Sequence, residues 1–595
     1  MFKKIKNIFS LLNKKNKISL FFVILLAFIS SVFDLIGIVS VLPFLSLLVN
    51  PALINESVLL QTIASSLNFN NQELLIFLGF SSFFLIFLNQ IIRFISKMFT
   101  IKFSRELIYE MTGDLFDYYL RQPFNFFSKQ NKSLLIQKCT SYVEHFIAGT
   151  LSPYTHIFSQ ILTTSIIFIF LIFYQPTIII ILSISLITYY FLFYKKVGKK
   201  FDQISKNYSK YFENFSRSLG DAFGVIHQLK LFKNDYFKKN FSNSANLYKK
   251  AHIYQNFYSL LPSHFIEVFA YGGILLISMI LLYQSQDLKN IIPVLGIIVV
   301  SLRRIIPGIQ EIYLQSLQIK VHVQMYNKIY SDLKRIRNLK IKKIKNNKTE
   351  RLDFKKIIQI QNLKYRYKNS ANKINITTSI NNGEFIGICG KTGVGKSTLV
   401  NILSGLVKKE SGKIFLDGNV TETFENEGWK KKIGYATQER YIINDTIINN
   451  ISLGDNKKNS LFEIKKLCKI VELDQHIKNF KSGYKTRLGD SGIKLSGGQE
   501  QKIIIARALY NKPKILIFDE ATNALDPISE VKILKNIRKK FKGLTLIFVT
   551  HRLNSLRRCD KIIFLENSKV KKSGKFDKLL KTDKNFYSLI TAYNN

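Results

Sequence analysis

Six long apolar stretches in the first half of the chain restrict its fold more than any other feature. They cover residues 18–49, 74–99, 157–174, 177–194, 265–284 and 291–317. Most of them reach the ~20 residues with which a helix crosses a bilayer. Because lipid offers no hydrogen-bond partners, a spanning segment has to satisfy its backbone internally, as a helix does. We therefore predict six transmembrane helices in contact with the lipid bilayer.

The charge of the connecting segments predicts the orientation of these helices. Three connections hold one lysine among them and no arginine: residues 50–73, 175–176 and 285–290. Three others are rich in Lys and Arg: residues 1–17, 100–156 and 195–264. Basic segments beside membrane spans stay in the cytoplasm. We therefore expect both termini and the second half of the chain to be cytoplasmic.

The first apolar stretch has a basic start like that of a signal peptide. Its apolar region is too long, however, and it lacks a small-residue cleavage site, so we expect it to remain as a helix. The four cysteines, Cys139, Cys389, Cys468 and Cys559, all fall in predicted cytoplasmic regions. Their spacing matches no metal site, and we expect free thiols.

The strongly basic composition raises the alternative of nucleic-acid binding. The formal net charge is +47, and a basic chain can follow a phosphate backbone. The predicted membrane topology argues against a nucleic-acid partner, and attraction to anionic lipid accounts for part of the bias. Composition changes from apolar to charged near residue 320. We predict a transmembrane domain at 1–320, a linker at 321–353 and a second domain at 354–595.

A glycine-rich run in the second domain predicts a phosphate-binding loop. It reads Gly390-Lys391-Thr392-Gly393-Val394-Gly395-Lys396-Ser397, lies between a predicted strand and a predicted helix, and is followed by Thr398. In such a loop successive backbone N–H groups surround phosphate oxygens, Lys396 reaches the β and γ phosphates, and Ser397 binds Mg²⁺. The alternative is a chance match to the pattern, and the predicted strand and helix on either side of the run argue against it.

A pair of acidic residues follows a second apolar strand at residues 515–518. Asp519 is the predicted Mg²⁺ ligand, and Glu520 is the predicted catalytic residue that orients the attacking water. Phosphoryl transfer needs this division, because cations neutralise the phosphates while a separate carboxylate positions the nucleophile. The alternative for an isolated Asp-Glu pair is a solvated turn.

Together with the run Leu495-Ser496-Gly497-Gly498-Gln499, these motifs resemble the ABC transporter ATPase family over the whole second domain. The resemblance implies ATP and Mg²⁺ as cofactors and ATP hydrolysis coupled to transport. It implies that residues 496–499 form a signature loop, whose N–H groups cap the γ-phosphate held by another subunit. A dimer with two equivalent composite sites follows from this arrangement.

The same resemblance assigns four further residues. Gln438 becomes a nucleotide and Mg²⁺ contact, Asp526 the D-loop aspartate, and His551 a catalytic residue that contacts the γ-phosphate. Tyr367 becomes the aromatic that stacks on adenine, although an aromatic here, like nearby Tyr365, is also compatible with a core position. One departure from the family is Asn523, which replaces the commoner serine.

The first domain resembles the transmembrane domain of ABC exporters. The implied fold is an all-α, six-helix domain of the type I exporter (type IV ABC) fold, followed by an α/β P-loop ABC ATPase domain. Residues 121–127 and 218–224 resemble the two cytoplasmic coupling regions of that fold. Another departure lies in the second domain, where Asp490 stands in place of the usual Glu of the exporter X-loop.

Several stretches of the first domain resemble PglK-like lipid-linked oligosaccharide flippases. They are residues 34–38 with 42–44, 229–237, 261–267 and 303–307. The resemblance implies a homodimer in a bacterial inner (cell) membrane that flips a lipid-linked glycan, carried on a polyprenyl pyrophosphate, to the outer leaflet. A heterodimer with a related chain stays open. The other open functions are export of another lipid, such as a lipopolysaccharide precursor, export of a peptide, and an ATP-gated regulator or channel.

Three arginines in the apolar stretches are candidate substrate residues: Arg93, Arg303 and Arg304. Ionised groups inside spans usually face the protein interior or a water-filled cavity, and guanidinium groups pair well with the oxygens of a pyrophosphate. The alternatives are that Arg93 extends to the cytoplasmic surface and that Arg303 or Arg304 pairs with Asp34 or Glu267.

Overall fold

The computed structural model describes residues 8–51, 58–128, 130–176, 180, 195–231, 235–284, 288–341, 352–366, 373–421, 424–455, 460–489, 492–550 and 552–592. Its contacts divide the chain into two units. The helical unit comprises Met1–Arg121 and Gln130–Lys343, and the sheet unit comprises Gln122–Lys129 and Ile344–Asn595.

Long helices dominate the first 343 residues. In chain order they are α1 (Lys14–Val49), α2 (Val58–Leu67), α3 (Asn71–Leu120), α4 (Phe124–Phe127), α5 (Lys132–Gln137), α6 (Val143–Phe146), α7 (Ser152–Tyr174), α8 (Lys195–Gly224), α9 (Ile226–Leu231), α10 (Tyr236–Gln284) and α11 (Leu288–Ile341). Two π-helical turns, Lys138–Tyr142 and Ile147–Leu151, join α5, α6 and α7 into one helix. Helix α4 belongs to the sheet unit.

Four helices among the described residues are long and apolar enough to cross a membrane: Lys14–Val49, Asn71–Leu120, Lys132–Tyr174 and Ile292–His322. They correspond to the first, second, third and sixth predicted spans. The fifth predicted span lies in the C-terminal part of α10. Most of the fourth, 177–194, lies outside the described residues.

The outer surface of α3 is apolar, as contact with lipid requires. Phe80, Phe83, Phe84 and Phe94 are all more than half exposed, a density that water-facing helices rarely carry. Inside the unit, α1, α7, α10 and α11 share one apolar core around Ile38, Ile167, Ile266 and Leu302. The helices therefore pack on one side and leave the other for hydrocarbon.

The predicted linker at 321–353 is helical as far as Ile341. Val321, Ile329, Leu333 and Ile336 are buried, and the last three recur with the spacing that places side chains on one face of a helix. This buried stripe extends α11 well beyond the membrane span and into residues that composition alone places in a solvated linker.

A mixed sheet forms the centre of the sheet unit. Its strands are β1 (Ile357–Tyr365), β2 (Ile374–Asn381), β3 (Phe385–Gly390), β4 (Ser411–Leu416), β5 (Asn419–Thr421), β6 (Ile433–Ala436), β7 (Ile515–Asp519), β8 (Thr545–Val549), β9 (Lys561–Glu566) and β10 (Lys569–Gly574). The order across the sheet is β5-β4-β1-β2-β10-β9-β3-β8-β7-β6. The run from β9 to β6 is parallel.

Helices complete the sheet unit: α12 (Lys396–Leu403), α13 (Glu427–Lys430), α14 (Ile447–Ser452), α15 (Ser460–Ile470), α16 (Asp474–Lys478), α17 (Gly497–Leu509), α18 (Pro527–Lys540), α19 (Leu553–Leu556), α20 (Phe576–Thr582) and α21 (Lys584–Ala592). A 3₁₀ turn occupies Gly483–Lys485. The four cysteines are free, as predicted.

Both faces of the parallel strands are covered. On β7, Leu516 and Phe518 belong to one apolar core, whereas Ile515 and Ile517 belong to the other. Successive side chains of a strand point to opposite faces, so this strand is a continuous apolar run buried on both sides. The carboxyl ends of β3, β6, β7 and β8 consequently meet at one edge, where ligands of open α/β sheets bind.

Candidate active site

The glycine-rich loop leaves the carboxyl end of β3 with a backbone that only glycine adopts easily. Gly390 has φ +150° and Gly395 has φ +100°, values that L side chains rarely take. A Cβ at Gly390 would also collide with the carbonyl oxygen of Leu565, and one at Gly395 with Cγ2 of Ile374. The two glycines therefore allow the loop to turn tightly into α12.

Lys396, the first residue of α12, is buried beneath this loop. Its Nζ donates to the carbonyl oxygens of Gly390 at 2.7 Å and Lys391 at 3.1 Å. Burial lowers the pKa of Lys396, while the nearby carboxylates of Glu520 and Asp519 raise it. The cation thus lies at the centre of the site and is available to neutralise phosphate.

Asp519 ends β7 and points its carboxylate at the same edge. Burial raises its pKa, as does Glu520, whereas a hydrogen bond from Tyr435 and the charge of Lys396 lower it. The Tyr435 hydroxyl donates to Oδ2 at 2.9 Å. Mg²⁺ prefers oxygen ligands. The carboxylate of Asp519, the hydroxyl of Ser397 and the amide oxygen of Gln438 have the chemistry that this ion requires.

Glu520 occupies a strained position directly after β7. Its φ is +53°, a left-handed conformation that non-glycine residues rarely adopt and that clusters at functional sites. Oε2 accepts hydrogen bonds from Nε2 of Gln438 at 3.0 Å and from Nδ2 of Asn523 at 3.2 Å. The structure therefore brings together Lys396, Asp519, Glu520 and Gln438, four residues that the sequence places far apart.

The predicted signature loop caps α17. The side chain of Ser496 accepts from the backbone N–H of Gln499 at 3.4 Å, and that of Gln499 accepts from the N–H of Ser496 at 3.0 Å. This reciprocal capping box fixes the start of the helix. A Cβ at Gly497 would collide with the guanidinium of Arg440 and approach Ala524, so the start of α17 lies beside these two residues. A helix N-terminus fixed in this way favours anions.

Asp526, predicted to contact nucleotide, caps α18. Its Oδ1 accepts from the backbone N–H of Ser529 at 2.8 Å, and hydrogen bonds to Ser529 lower its pKa. Tyr367 and His551 lie outside the described residues. Tyr365 is buried in the core, and its hydroxyl accepts a hydrogen bond of 2.9 Å from Nδ2 of Asn125. Asn125 belongs to the stretch that resembles the first coupling region.

The sequence analysis did not identify two residues that shape the site, Tyr435 and Arg552. Tyr435 reaches Asp519 because β6 and β7 are paired in parallel register. Arg552 donates to the carbonyl oxygens of Asn523 at 2.8 Å and Leu525 at 3.0 Å. A sequence signal was present for both: Tyr435 lies in the short apolar run 433–436, and Arg552 follows a predicted strand.

The three candidate substrate arginines lie in different surroundings. Arg304 pairs with buried Asp34, which also accepts a hydrogen bond of 2.8 Å from Asn89. Arg93, Lys97, His156 and Arg304 line a small polar cavity between α1, α3, α7 and α11. Arg303 is exposed instead. Of the pairings considered for the two adjacent arginines, the structure contains the one between Arg304 and Asp34.

Comparison with known families and structures agrees with this architecture. Residues 20–302 match the family model "ABC transporter transmembrane region", and residues 374–523 match the model "ABC transporter". A bacterial Atm1-family ABC exporter solved with ATP bound has the same fold, with a TM-score of 0.76 over 98% of this chain and 99% of that chain. Sequence identity to that exporter is 18%.

Curated relatives share part of the sequence. The alpha-hemolysin translocation ATP-binding protein HlyB of Escherichia coli is 40% identical over 235 residues, which are 39% of this chain and 33% of that protein. The leukotoxin translocation ATP-binding protein LktB of Mannheimia haemolytica is 38% identical over 240 residues, 40% of this chain and 34% of that protein. The chain thus spans about a third of the length of these relatives.

These matches confirm the predicted fold class and the predicted cofactors. The second domain is an ABC ATPase domain, which binds ATP with Mg²⁺. The first is a multi-pass transmembrane region. The chain therefore contains the two regions of an ABC transporter, a transmembrane region and an ATPase domain, arranged in the fold of an ABC exporter.

Proposed function

We propose that this chain hydrolyses ATP at the carboxyl edge of its sheet and uses the cycle to move a substrate out of the bacterial cytoplasm. The observation that carries the proposal is the convergence of Lys396, Asp519, Glu520 and Gln438 on that edge. A cation, a candidate metal ligand and a strained carboxylate in one place are what phosphoryl transfer to water needs.

Each residue has a stated task in this proposal. The N–H groups of residues 390–398 and the ammonium of Lys396 bind the phosphates, which the positive end of α12 also favours. Bound Mg²⁺ offsets the charge of the phosphate oxygens, and Ser397, Asp519 and Gln438 would hold it. Glu520 orients the attacking water. Tyr367 and His551 stay predictions for adenine stacking and γ-phosphate contact.

The working unit is a dimer with composite sites. Residues 496–499 form the start of α17, and a helix N-terminus is a binding place for anions. A second chain that presents its nucleotide there completes the site with residues 496–499 and Asp526. We propose that this second chain is another copy of the same protein, which makes a homodimer. The alternative is a heterodimer with a related chain.

The transported substrate that we propose is a lipid-linked oligosaccharide or a related polyprenyl-pyrophosphate glycan, flipped from the cytoplasmic to the outer leaflet. Two observations support it: the stretches that resemble PglK-like flippases, and the cationic cavity that Arg93, Lys97, His156 and Arg304 line. A charged lining inside a membrane segment suits an anionic group. Because Arg304 is paired with Asp34, Arg93 and Lys97 become the stronger candidates for phosphate contact.

Protein or peptide export is the second candidate. The names of the relatives HlyB and LktB describe toxin translocation, and this specific observation favours a polypeptide substrate. An exporter of another lipid and an ATP-gated regulator or channel are the remaining alternatives. The ATPase site is the same in all of these cases, so only the transported molecule distinguishes them.

Reconstitution in proteoliposomes tests both the activity and the substrate. Purified chain is given ATP and either a lipid-linked oligosaccharide, a lipopolysaccharide precursor or an unfolded polypeptide. We expect ATP-dependent translocation of the oligosaccharide lipid, and none with Glu520→Gln. Translocation of the polypeptide alone would replace the flippase proposal with protein export. Ion conductance without substrate movement would indicate a channel.

A further inference from the structure

Asn523 lies one turn beyond Glu520 and folds back onto it. Its backbone N–H donates to the carbonyl oxygen of Glu520 at 3.3 Å. Its side-chain Nδ2 donates to Oε2 of the Glu520 carboxylate at 3.2 Å. Gln438 donates to the same oxygen at 3.0 Å. Two amides from separate loops therefore fix one oxygen of the carboxylate.

The backbone around Asn523 is held without help from its side chain. Arg552 donates to the carbonyl oxygens of Asn523 and Leu525, and it also pairs with buried Glu530 at 2.9 Å. The N–H of Ala524 donates to the side chain of Gln501 at 2.7 Å. Replacing the Asn523 side chain consequently removes the contact with Glu520 and leaves these backbone contacts in place.

We propose that Asn523 is a positioning residue for Glu520. Its amide, together with that of Gln438, holds the carboxylate in one orientation toward the attacking water. A carboxylate that acts on water must lie within hydrogen-bond distance of that water, and its basicity matters only when this condition is met. The proposal rests on the proposed role of Glu520. It also assigns a function to the side-chain amide of Asn523, at a position where the family commonly has the shorter serine.

Geometry explains why the contact matters at this position. Glu520 has a strained backbone and a side chain with several rotatable bonds, so the backbone alone does not select one carboxylate orientation. A misplacement of about 1 Å reduces an enzymatic rate by up to about 100-fold. Since Gln438 still holds Oε2 when Asn523 is replaced, we expect a smaller loss, about 10-fold in kcat.

The test is steady-state ATP hydrolysis by the full chain in proteoliposomes. We expect Asn523→Ala to lower kcat about 10-fold while the KM for ATP stays within about twofold. Asn523→Asp keeps the size of the side chain but places a second carboxylate beside Glu520, so kcat should fall further than in Asn523→Ala. Asn523→Ser keeps a donor and should recover part of the rate. A raised KM with unchanged kcat would overturn the proposal.

A double-mutant cycle separates positioning from a structural role. In the Glu520→Gln chain, adding Asn523→Ala should not reduce the residual hydrolysis further, because the group that Asn523 positions is already gone. A further loss of hydrolysis when Asn523→Ala is added to Glu520→Gln would overturn the proposal. If Glu520→Gln alone kept the wild-type rate, the role of Glu520 would fail, and the role of Asn523 with it.

Discussion

The hydroxyl of Tyr435 donates a hydrogen bond of 2.9 Å to Oδ2 of Asp519. The two residues lie on neighbouring strands, and the parallel register pairs Tyr435 with Ile517 and Ala436 with Phe518. The phenol thereby reaches the carboxylate at the end of β7. A neutral donor orients Asp519 without neutralising it, so the carboxylate keeps its charge for the cation that accompanies ATP.

Removing this donor should change the pH dependence of hydrolysis. Burial already raises the pKa of Asp519, and the Tyr435 hydrogen bond opposes that rise. In Tyr435→Phe the pKa therefore rises further, and Asp519 becomes protonated at a higher pH. Because a protonated carboxyl binds Mg²⁺ poorly, we expect the acid limb of the pH–rate profile to move to higher pH.

The measurement is kcat/KM for ATP against pH at several Mg²⁺ concentrations. Tyr441→Phe is the matched control, because the side chain of Tyr441 is 75% exposed and should leave the profile unchanged. An acid limb that stays in place in Tyr435→Phe would show that this hydroxyl does not tune Asp519.

Mixing two inactive variants tests whether the site is shared between chains. Lys396→Met removes the phosphate-binding cation, and Ser496→Glu places an acidic group at the start of α17. We expect each variant alone to lose hydrolysis by about 100-fold or more. In a mixed dimer, the intact Lys396 of one chain meets the intact Ser496 of the other, which restores one of two sites.

The measurement is ATPase activity after co-expression and purification through two different affinity tags. About half of the wild-type rate is the upper limit expected for the mixed dimer, since only one of its two sites is intact. Lys391→Met serves as a control for the loop, because we expect Lys391 to contribute its backbone rather than its exposed side chain. No recovery in the mixed dimer would refute a composite site.

The ion pair between Asp34 and Arg304 should contribute to stability. Both side chains are largely buried, so Asp34→Ala leaves a guanidinium without its carboxylate, which lowers the free energy of unfolding by about 3 kcal/mol. The double variant Asp34→Ala/Arg304→Leu should recover much of that loss. Glu144→Ala is the control, because its pair with Arg105 is more than half exposed and worth less than about 1 kcal/mol.

Thermal unfolding in detergent, followed by loss of the monodisperse peak, measures these differences. We expect the midpoint to fall clearly for Asp34→Ala and to move little for Glu144→Ala. An equal midpoint for Asp34→Ala and the native chain would mean that Arg304 finds another partner in the polar cavity.

Arg93 should matter for transport more than for hydrolysis. It lines the cavity that also contains Lys97, whereas Arg303 is exposed. We expect Arg93→Ala to reduce flipping of the lipid-linked glycan about 10-fold or more, with basal ATPase within about twofold. Arg303→Ala, the matched control, should reduce neither. Equal losses of flipping and hydrolysis in Arg93→Ala would assign Arg93 a structural role.

The glycine-rich loop and the pair Asp519–Glu520 were predicted from the sequence because their requirements are local. Gly390 and Gly395 are needed for their φ values, and an apolar run of strand length directly precedes the acidic pair. The membrane spans were predicted for a similar reason, since length and apolarity are properties of one continuous segment. Tyr367 and His551 stay predictions.

The partners of these residues were not predictable in the same way. Nothing near Asp34 in the sequence selects Arg304 over Arg303, a choice that the rotation of α11 against α1 decides. The sequence predicted a linker at 321–353, and the structure adds that α11 continues to Ile341. Composition does not reveal this extension, because only the residues that pack against the helix define its buried face.

The sequence by itself determined that this chain spans a membrane and carries a nucleotide loop, since backbone conformation and lipid contact depend on neighbouring residues. Only the tertiary structure decided that Tyr435 supports Asp519 and that Asn523 and Gln438 hold Glu520. These contacts depend on which strands pair and in which register, and burial of the whole core on both faces of the sheet sets that pairing.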